Sequence, residues 1–165
     1  MIKEKQVVKE EEEKFFNYPA FKTALAQAEN ILYIGDNAGE IVFDRLLIEE
    51  IKRLYPYKKI TFAVKGGAII NDALMADAEE CGITGITQVI SNGVDAPGTL
   101  LSLCSPEFLI AYNQTQLIIS KGQGNFETLS SEEKPIFFLL MAKCPVVAAH
   151  IGCEAGTFLL FNMYR

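Results

Sequence analysis

The chain has 165 residues, half of them hydrophobic and 22% charged, with a formal net charge of −6. That suits one domain able to bury roughly 70% of its unfolded surface, and it is well clear of disordered composition. The acidic balance weighs against nucleic acid as a partner, because phosphate backbones need clustered Lys and Arg. No apolar run reaches the roughly 18 residues of a membrane span.

Residues 1–18 are polar and read as an arm or solvent-exposed helix, with Glu10 to Glu13 a solvated run. Pro19 opens a short helical pattern with Phe21, Leu25 and Ala28 on one side. ILYIG (31–35) is a continuous apolar run ended by glycine, which suits a strand covered on both faces. From Gly39 the period becomes helical, with Ile41, Leu46, Leu47, Ile51 and Leu54 near one face, and Tyr55-Pro56 stops it. ITFAVK (60–65) reads as a second strand, Asn71 to Cys81 as a helix stopped by Gly82, and TQVI (87–90) as a third strand. SNGVDAPGT (91–99) is a polar loop, LIIS (117–120) a fourth strand, and IFFLLMA (136–142) a fifth apolar segment. VVAAHIG suits a helical turn and TFLLF (157–161) a last strand. This alternation predicts an α/β domain with a mostly parallel sheet and helices on both faces. Residues 1–30 form an N-terminal arm and short helix, and 31–165 a single α/β domain.

In open parallel sheets, ligands bind beyond the carboxyl ends of the strands. The four turns there are Gly35-Asp36-Asn37-Ala38-Gly39-Glu40, Lys65-Gly66-Gly67, Ser91-Asn92-Gly93-Val94-Asp95 and Lys121-Gly122-Gln123-Gly124-Asn125. Each carries glycine with carboxylate, carboxamide or lysine. Asp36 and Asn37 place an anionic and a neutral oxygen side by side, ligands that hard divalent cations favour. As an isolated turn, the same residues are ordinary helix caps. Asp72 opens the segment after the second strand, where adjacent parallel strands bring it near Asp36. Two carboxylates and a carboxamide make a three-ligand site with open positions, and Lys65 and Lys121 would neutralise substrate charge.

Other templates fail. There is no P-loop, no G-x-G-x-x-G after the first strand, no D-x-D and no G-x-S-x-G. Cys144 and Cys153 near His150, the sole histidine, read as core residues. A nucleotide- or S-adenosylmethionine-dependent enzyme would want an acidic residue ending the second strand, where Lys65 stands. The N-terminus lacks the apolar core of an export signal, so a cytoplasmic protein with free thiols at Cys81, Cys104, Cys144 and Cys153 is expected.

GDNAGE (35–40), Asn71-Asp72-Ala73 with Asp77, and KGQGNFETL (121–129) closely resemble the "domain of unknown function eighty-nine" family, the metal-dependent damage-control phosphatases. The similarity runs from about Ile31 to Phe161 and includes SNGVDAPGT and KCPVVA. The resemblance implies a Rossmann-like three-layer α/β/α sandwich holding a divalent ion, commonly Mn²⁺, Co²⁺, Ni²⁺ or Mg²⁺. It assigns Asp36, Asn37 and Asp72 as metal ligands and Lys121 as the substrate-phosphate lysine, so that Asp36, Asp72 and Lys121 carry catalysis. Glu40, Asn71, Gly93, Asp95 and Asn125 occupy motif positions lining the pocket. The implied reaction is hydrolysis of small phosphorylated metabolites, such as sugar phosphates or damaged phospho-compounds. Relatives carry a long helical region before this domain; only about thirty residues precede the first strand here. The alternative reading is therefore a non-catalytic domain that binds metal or a phosphometabolite, with the uncovered surface supporting a homo-oligomer.

Overall fold

The computed structural model describes residues 15–163. The arm expected over the first residues, including the glutamate run, lies mostly outside them. The described elements are helix α1 (Tyr18–Gln27), strand β1 (Asn30–Ile34), α2 (Ile41–Leu54), β2 (Lys59–Val64), α3 (Met75–Glu80), β3 (Gln88–Ser91), α4 (Pro106–Gln114), β4 (Leu117–Lys121), α5 (Gln123–Leu129), β5 (Ile136–Met141), α6 (Pro145–Ile151) and β6 (Phe158–Asn162). The six strands form one sheet in the order β3-β2-β1-β4-β5-β6. All neighbours are parallel except β5 and β6. Among the described residues, no helix is long and apolar enough to cross a membrane.

Period-two alternation explains the layers. In β1, Ile31 and Tyr33 face one side of the sheet while Leu32 and Ile34 face the other. The first side is covered by α1 through Phe21 and Leu25, by α2 through Ile41, Ile48 and Ile51, and by α3 through Ala78. The second is covered by α4 through Phe108 and Tyr112, by α5 through Phe126 and Leu129, and by α6 through Val147 and Ala148. Strands buried on both faces read as unbroken apolar runs, which is why β1, β4 and β5 stand out in the sequence. The three-layer α/β/α sandwich is the one expected.

Two local expectations need correction, and two helices go beyond what the sequence pattern predicts. In α2, Leu46 and Leu54 are more than half exposed, and the buried stripe is Ile41, Asp44, Ile48 and Ile51. The stripe is rotated because Asp44 has buried polar partners, described below, that make a core position tolerable. The helix expected from Asn71 begins only at Met75, with Asp77 Oδ2 accepting from the Leu74 N–H at 2.8 Å. Asn71 lies in a turn instead, closed by the Asp72 N–H donating to the Ile69 carbonyl at 3.0 Å, and Asn71 to Ala73 pair backward with the turn after β1. Helices α4 and α5 did not declare themselves as periodic runs. Helix α4 is started by Ser105, which accepts from the Phe108 N–H, followed by Pro106.

Ile48 is fully buried and Leu46 is not. Ile48→Ala should therefore cost about 2–5 kcal/mol, and Leu46→Ala no more than about 0.5. Denaturant unfolding of the two variants checks the helix orientation; equal losses would contradict it.

Candidate functional site at the strand ends

The sheet order reverses direction between β1 and β4. From β1 the chain moves outward to β2 and β3, and from β4 it moves the other way to β5 and β6. Such a reversal opens a crevice beyond the carboxyl ends of the two strands, because their following helices lie on opposite faces. Asp36 follows β1 there, and Lys121-Gly122 ends β4. Gly122 has φ +81°, and a Cβ on it would lie 2.1 Å from the Asp36 carboxyl carbon. Only glycine fits, so β4 and the Asp36 side chain are in direct contact.

Asp36 and Asp72 are brought together by backbone pairing. The Ala73 N–H donates to the Asp36 carbonyl at 2.7 Å, the Ala38 N–H donates to the Asn71 carbonyl at 2.9 Å, and Asn37 and Asp72 form an antiparallel bridge. This short ribbon is an addition to the sheet that strand patterning does not reveal. Asn37 is not a helix cap: its Oδ1 accepts from the Gly39 N–H at 2.7 Å, closing a local turn, while Glu40 precedes α2 without a capping side-chain bond.

The electrostatics follow from this crowding. Burial, then the Asp72 and Glu40 carboxylates, push the Asp36 carboxyl up to about 6 from an ordinary 3.8, against the opposing pull of Lys121 and Lys143. Among the described residues the Asp36 side chain has no hydrogen bond or ion pair. Asp72 Oδ2 lies 3.4 Å from Lys65 Nζ. That ammonium also donates to the carbonyls of Ala96, at 2.8 Å, and Gly98. Burial lowers the Lys65 pKa, and Asp72 and Asp36 oppose the shift. Lys65 thus ties the loop after β3 to the Asp72 segment.

Lys121 is gripped from α2. Its ammonium donates to Asp44 Oδ1 at 2.8 Å and to Glu40 Oε2 at 3.3 Å, and the Tyr33 hydroxyl donates to the same Asp44 oxygen at 2.7 Å. Burial disfavours the charged amine, but Asp44 and then Glu40 more than compensate, so the Lys121 pKa is raised. Asn125, fully buried, donates to the carbonyls of Gly35 at 3.1 Å and Lys121 at 2.8 Å and accepts from the Thr99 hydroxyl at 2.7 Å. Gly93 and Asp95 stand on the exposed loop after β3, against Gly66 and Gly67, where a Cβ on Gly66 would meet Gly93 Cα at 2.6 Å. Asn71 is exposed beside the ribbon.

A cavity of about 470 Å³ opens over this junction. Asp36, Glu40, Lys121, Gly122 and Lys143 form its polar part, and Phe43, Met141 and Phe158 part of its apolar wall. A larger groove of about 690 Å³ lies at the opposite, amino-terminal edge of the sheet and holds none of these residues.

Two functional candidates were missed from the sequence. Asp44 sits between Ile41 and Ile48 on the buried stripe, and a carboxylate at a core position was the available signal. Lys143 follows β5, and the loop bearing it is clamped by Gln123 Oε1, which accepts from the N–H groups of Lys143 and Cys144 at 3.0 and 3.1 Å. Among the described residues, no three His, Cys, Asp or Glu side chains gather closely enough to hold a metal by themselves. A cation here would draw on the Asp36–Asp72 pair together with neutral oxygens. The mutual repulsion of that pair, and the unbonded Asp36 carboxylate, fit such a group.

The sequence profile of the damage-control phosphatase ARMT1-like domain matches residues 2–159. An uncharacterized protein of Methanocaldococcus jannaschii is 48% identical over 138 residues, covering 81% of this chain and 45% of that protein. A damage-control phosphatase of Pyrococcus horikoshii is 42% identical over 160 residues, covering 96% of this chain and 53% of the relative. The crystal structure of a DUF89 family protein from Pyrococcus horikoshii matches with a TM-score of 0.86 at 42% identity, over 90% of this chain and 52% of that one. The chain thus spans about half the length of the curated relatives it matches.

The Asp36 carboxyl titrates near 6 when folded and near 3.8 otherwise. Between those values the folded chain holds more protons than the unfolded one, so this group makes stability fall as pH rises through that window. Asp36→Asn should be more stable than the parent above pH 6, with the margin shrinking below pH 4. Thermal unfolding across that range checks it, and an unchanging margin would contradict it.

Proposed function

The chain belongs to the damage-control phosphatase ARMT1-like family, and from this premise we propose that it is a divalent-metal-dependent phosphomonoesterase acting on small phosphorylated metabolites. One observation carries the reading: Asp36, repelled by the neighbouring Asp72, shares the switch-point cavity with the amines Lys121 and Lys143. Carboxylates and a carboxamide suit a hard cation, and amines suit phosphoryl oxygens.

Asp36, Asp72 and the neutral oxygen of Asn37 are the proposed cation ligands. A divalent ion bound there supplies a Lewis acid that offsets charge on the phosphoryl group. Lys121 offers a fixed positive charge from the end of β4. Lys143 offers a second one from the end of β5, with no salt bridge among the described residues, where it draws on the Asp36 carboxyl group. Both amines are worth more as attack proceeds, because charge spreads over the phosphoryl oxygens in the transition state. Water is the simpler nucleophile, since an aspartate that holds a cation is a poor one. Its oxygen bonds to phosphorus, the ester P–O bond breaks, the water gives up a proton and the departing alkoxide gains one. Gly122 leaves room for the Asp36 carboxyl group to lie against the end of β4. Lys65 and Asn125 hold the turns in place, and Glu40, Asn71, Gly93 and Asp95 remain proposed pocket residues.

A panel of phosphomonoesters assayed with Mn²⁺, Co²⁺, Ni²⁺ and Mg²⁺, before and after chelation, tests the reading. Turnover that disappears on chelation and returns with metal is expected. Metal bound without turnover would favour a binding domain instead. Asp72→Asn should weaken metal binding about 10- to 100-fold, the range seen even for outer partners of metal ligands, and should lower activity in parallel. Unchanged metal content and rate would overturn the ligand assignment. Lys143→Ala should raise KM about 10-fold, the scale of one charged hydrogen bond, as read from initial rates.

A further inference from the structure

The two carboxylates that hold Lys121 differ in burial. The Asp44 side chain is 3% exposed, whereas that of Glu40 is 47% exposed. Both project from the start of α2, four residues apart, so they lie on one face of it and reach the same amine. Asp44 is fixed three ways: by its place on the buried stripe, by the Tyr33 hydroxyl at 2.7 Å, and by the Lys121 ammonium at 2.8 Å. Its second oxygen, Oδ2, is buried without a hydrogen-bond partner. Such a carboxylate cannot leave the amine without stranding a charge in the core. Glu40 makes a single, longer contact of 3.3 Å at the mouth of the cavity and can turn into solvent at little cost.

An ammonium has three N–H donors. Among the described residues Lys121 spends one on Asp44 and one on Glu40, and of these two partners only Glu40 lines the cavity that a phosphoryl group would enter. We propose that Asp44 is a permanent positioning residue for Lys121 and that Glu40 is a displaceable placeholder, whose contact with the amine is exchanged for a phosphoryl oxygen when substrate binds. This rests on the phosphatase reading of the site. It makes Glu40 an internal competitor for phosphate and gives Asp44, which touches no substrate, its influence through the lysine alone.

The test separates this division of labour from a simple count of charges. Glu40→Gln and Asp44→Asn each remove one negative charge beside Lys121, so a charge count has both variants bind phosphate more tightly. With the full chain and inorganic phosphate as the calorimetric probe, Glu40→Gln should tighten binding roughly 2- to 5-fold, the scale of a half-exposed ion pair. Asp44→Asn should not tighten binding, and should lower kcat about 10-fold or more, the scale of a reacting group misplaced by a fraction of an ångström. Tyr33→Phe, which loosens Asp44 without changing charge, should lower kcat in the same direction by a smaller factor. It also serves if Asp44→Asn fails to fold. Asp44→Glu should recover more kcat than Asp44→Asn, which a merely structural role would not require.

Parallel tightening by both charge variants, or Tyr33→Phe with unchanged kcat, would overturn the proposal while leaving the phosphatase reading intact. A parent chain that binds no inorganic phosphate, with or without Mn²⁺, would overturn both.

Discussion

The contact between Gly122 and the Asp36 carboxylate is the constraint on which the rest of the site depends. It sets the end of β4 directly against the side chain that follows β1. Because β1 and β4 are paired in parallel, the two chain segments leave the sheet together and then part to opposite faces. Asp36, Lys121 and Gly122 are therefore gathered by topology, and only Asp72 needs a further device. The short ribbon with Asn37 supplies it.

The charges form a graded set. Lys65 is buried and fully engaged with carbonyls and Asp72, Lys121 is buried and held by two carboxylates, and Lys143 is exposed on its loop. The amines therefore run from structural to available across the strand ends. On the anionic side, Asp44 is compensated, Glu40 is half-exposed, and Asp36 is pushed toward its neutral form by burial and by Asp72. Asp36 is thus a carboxylate without an ion pair among the described residues, in a cavity that Lys121 and Lys143 also line. The membership of the chain in a phosphatase family agrees with that pattern, and about half the length of the relatives lies beyond the part matched here.

Much of this was legible in the sequence because it is local. Apolar runs ended by glycine marked β1, β2 and β4, and the polar turns after them named Asp36, Asp72 and Lys121. Strand order was not legible, because each βα unit is locally consistent with either direction of travel along the sheet. The Asn71–Ala73 segment looks like a helix start because Asn and Asp are good caps, and only the long-range hydrogen bonds to Asp36 and Ala38 decide otherwise. Helix α5 was hidden by Gly124 and by polar Gln123, Asn125 and Glu127, since glycine disfavours helix interiors. Asp44 was passed over because a stripe is sought among apolar residues, and a charged member looks like an interruption. Its pairing with Lys121, seventy-seven positions away, is what the pattern lacked.

Asn125 has a consequence of another kind. One buried carboxamide joins the carbonyl ending β1, the carbonyl ending β4 and the Thr99 hydroxyl of the loop after β3. Three segments remote in sequence thus share a single acceptor and two donors. None can open to water without stranding the others' polar groups in the core. The strand ends are therefore expected to exchange their protected amides as one cooperative unit rather than fraying turn by turn. A site assembled in that way is already ordered before a ligand arrives, so little of the binding free energy is consumed in arranging it.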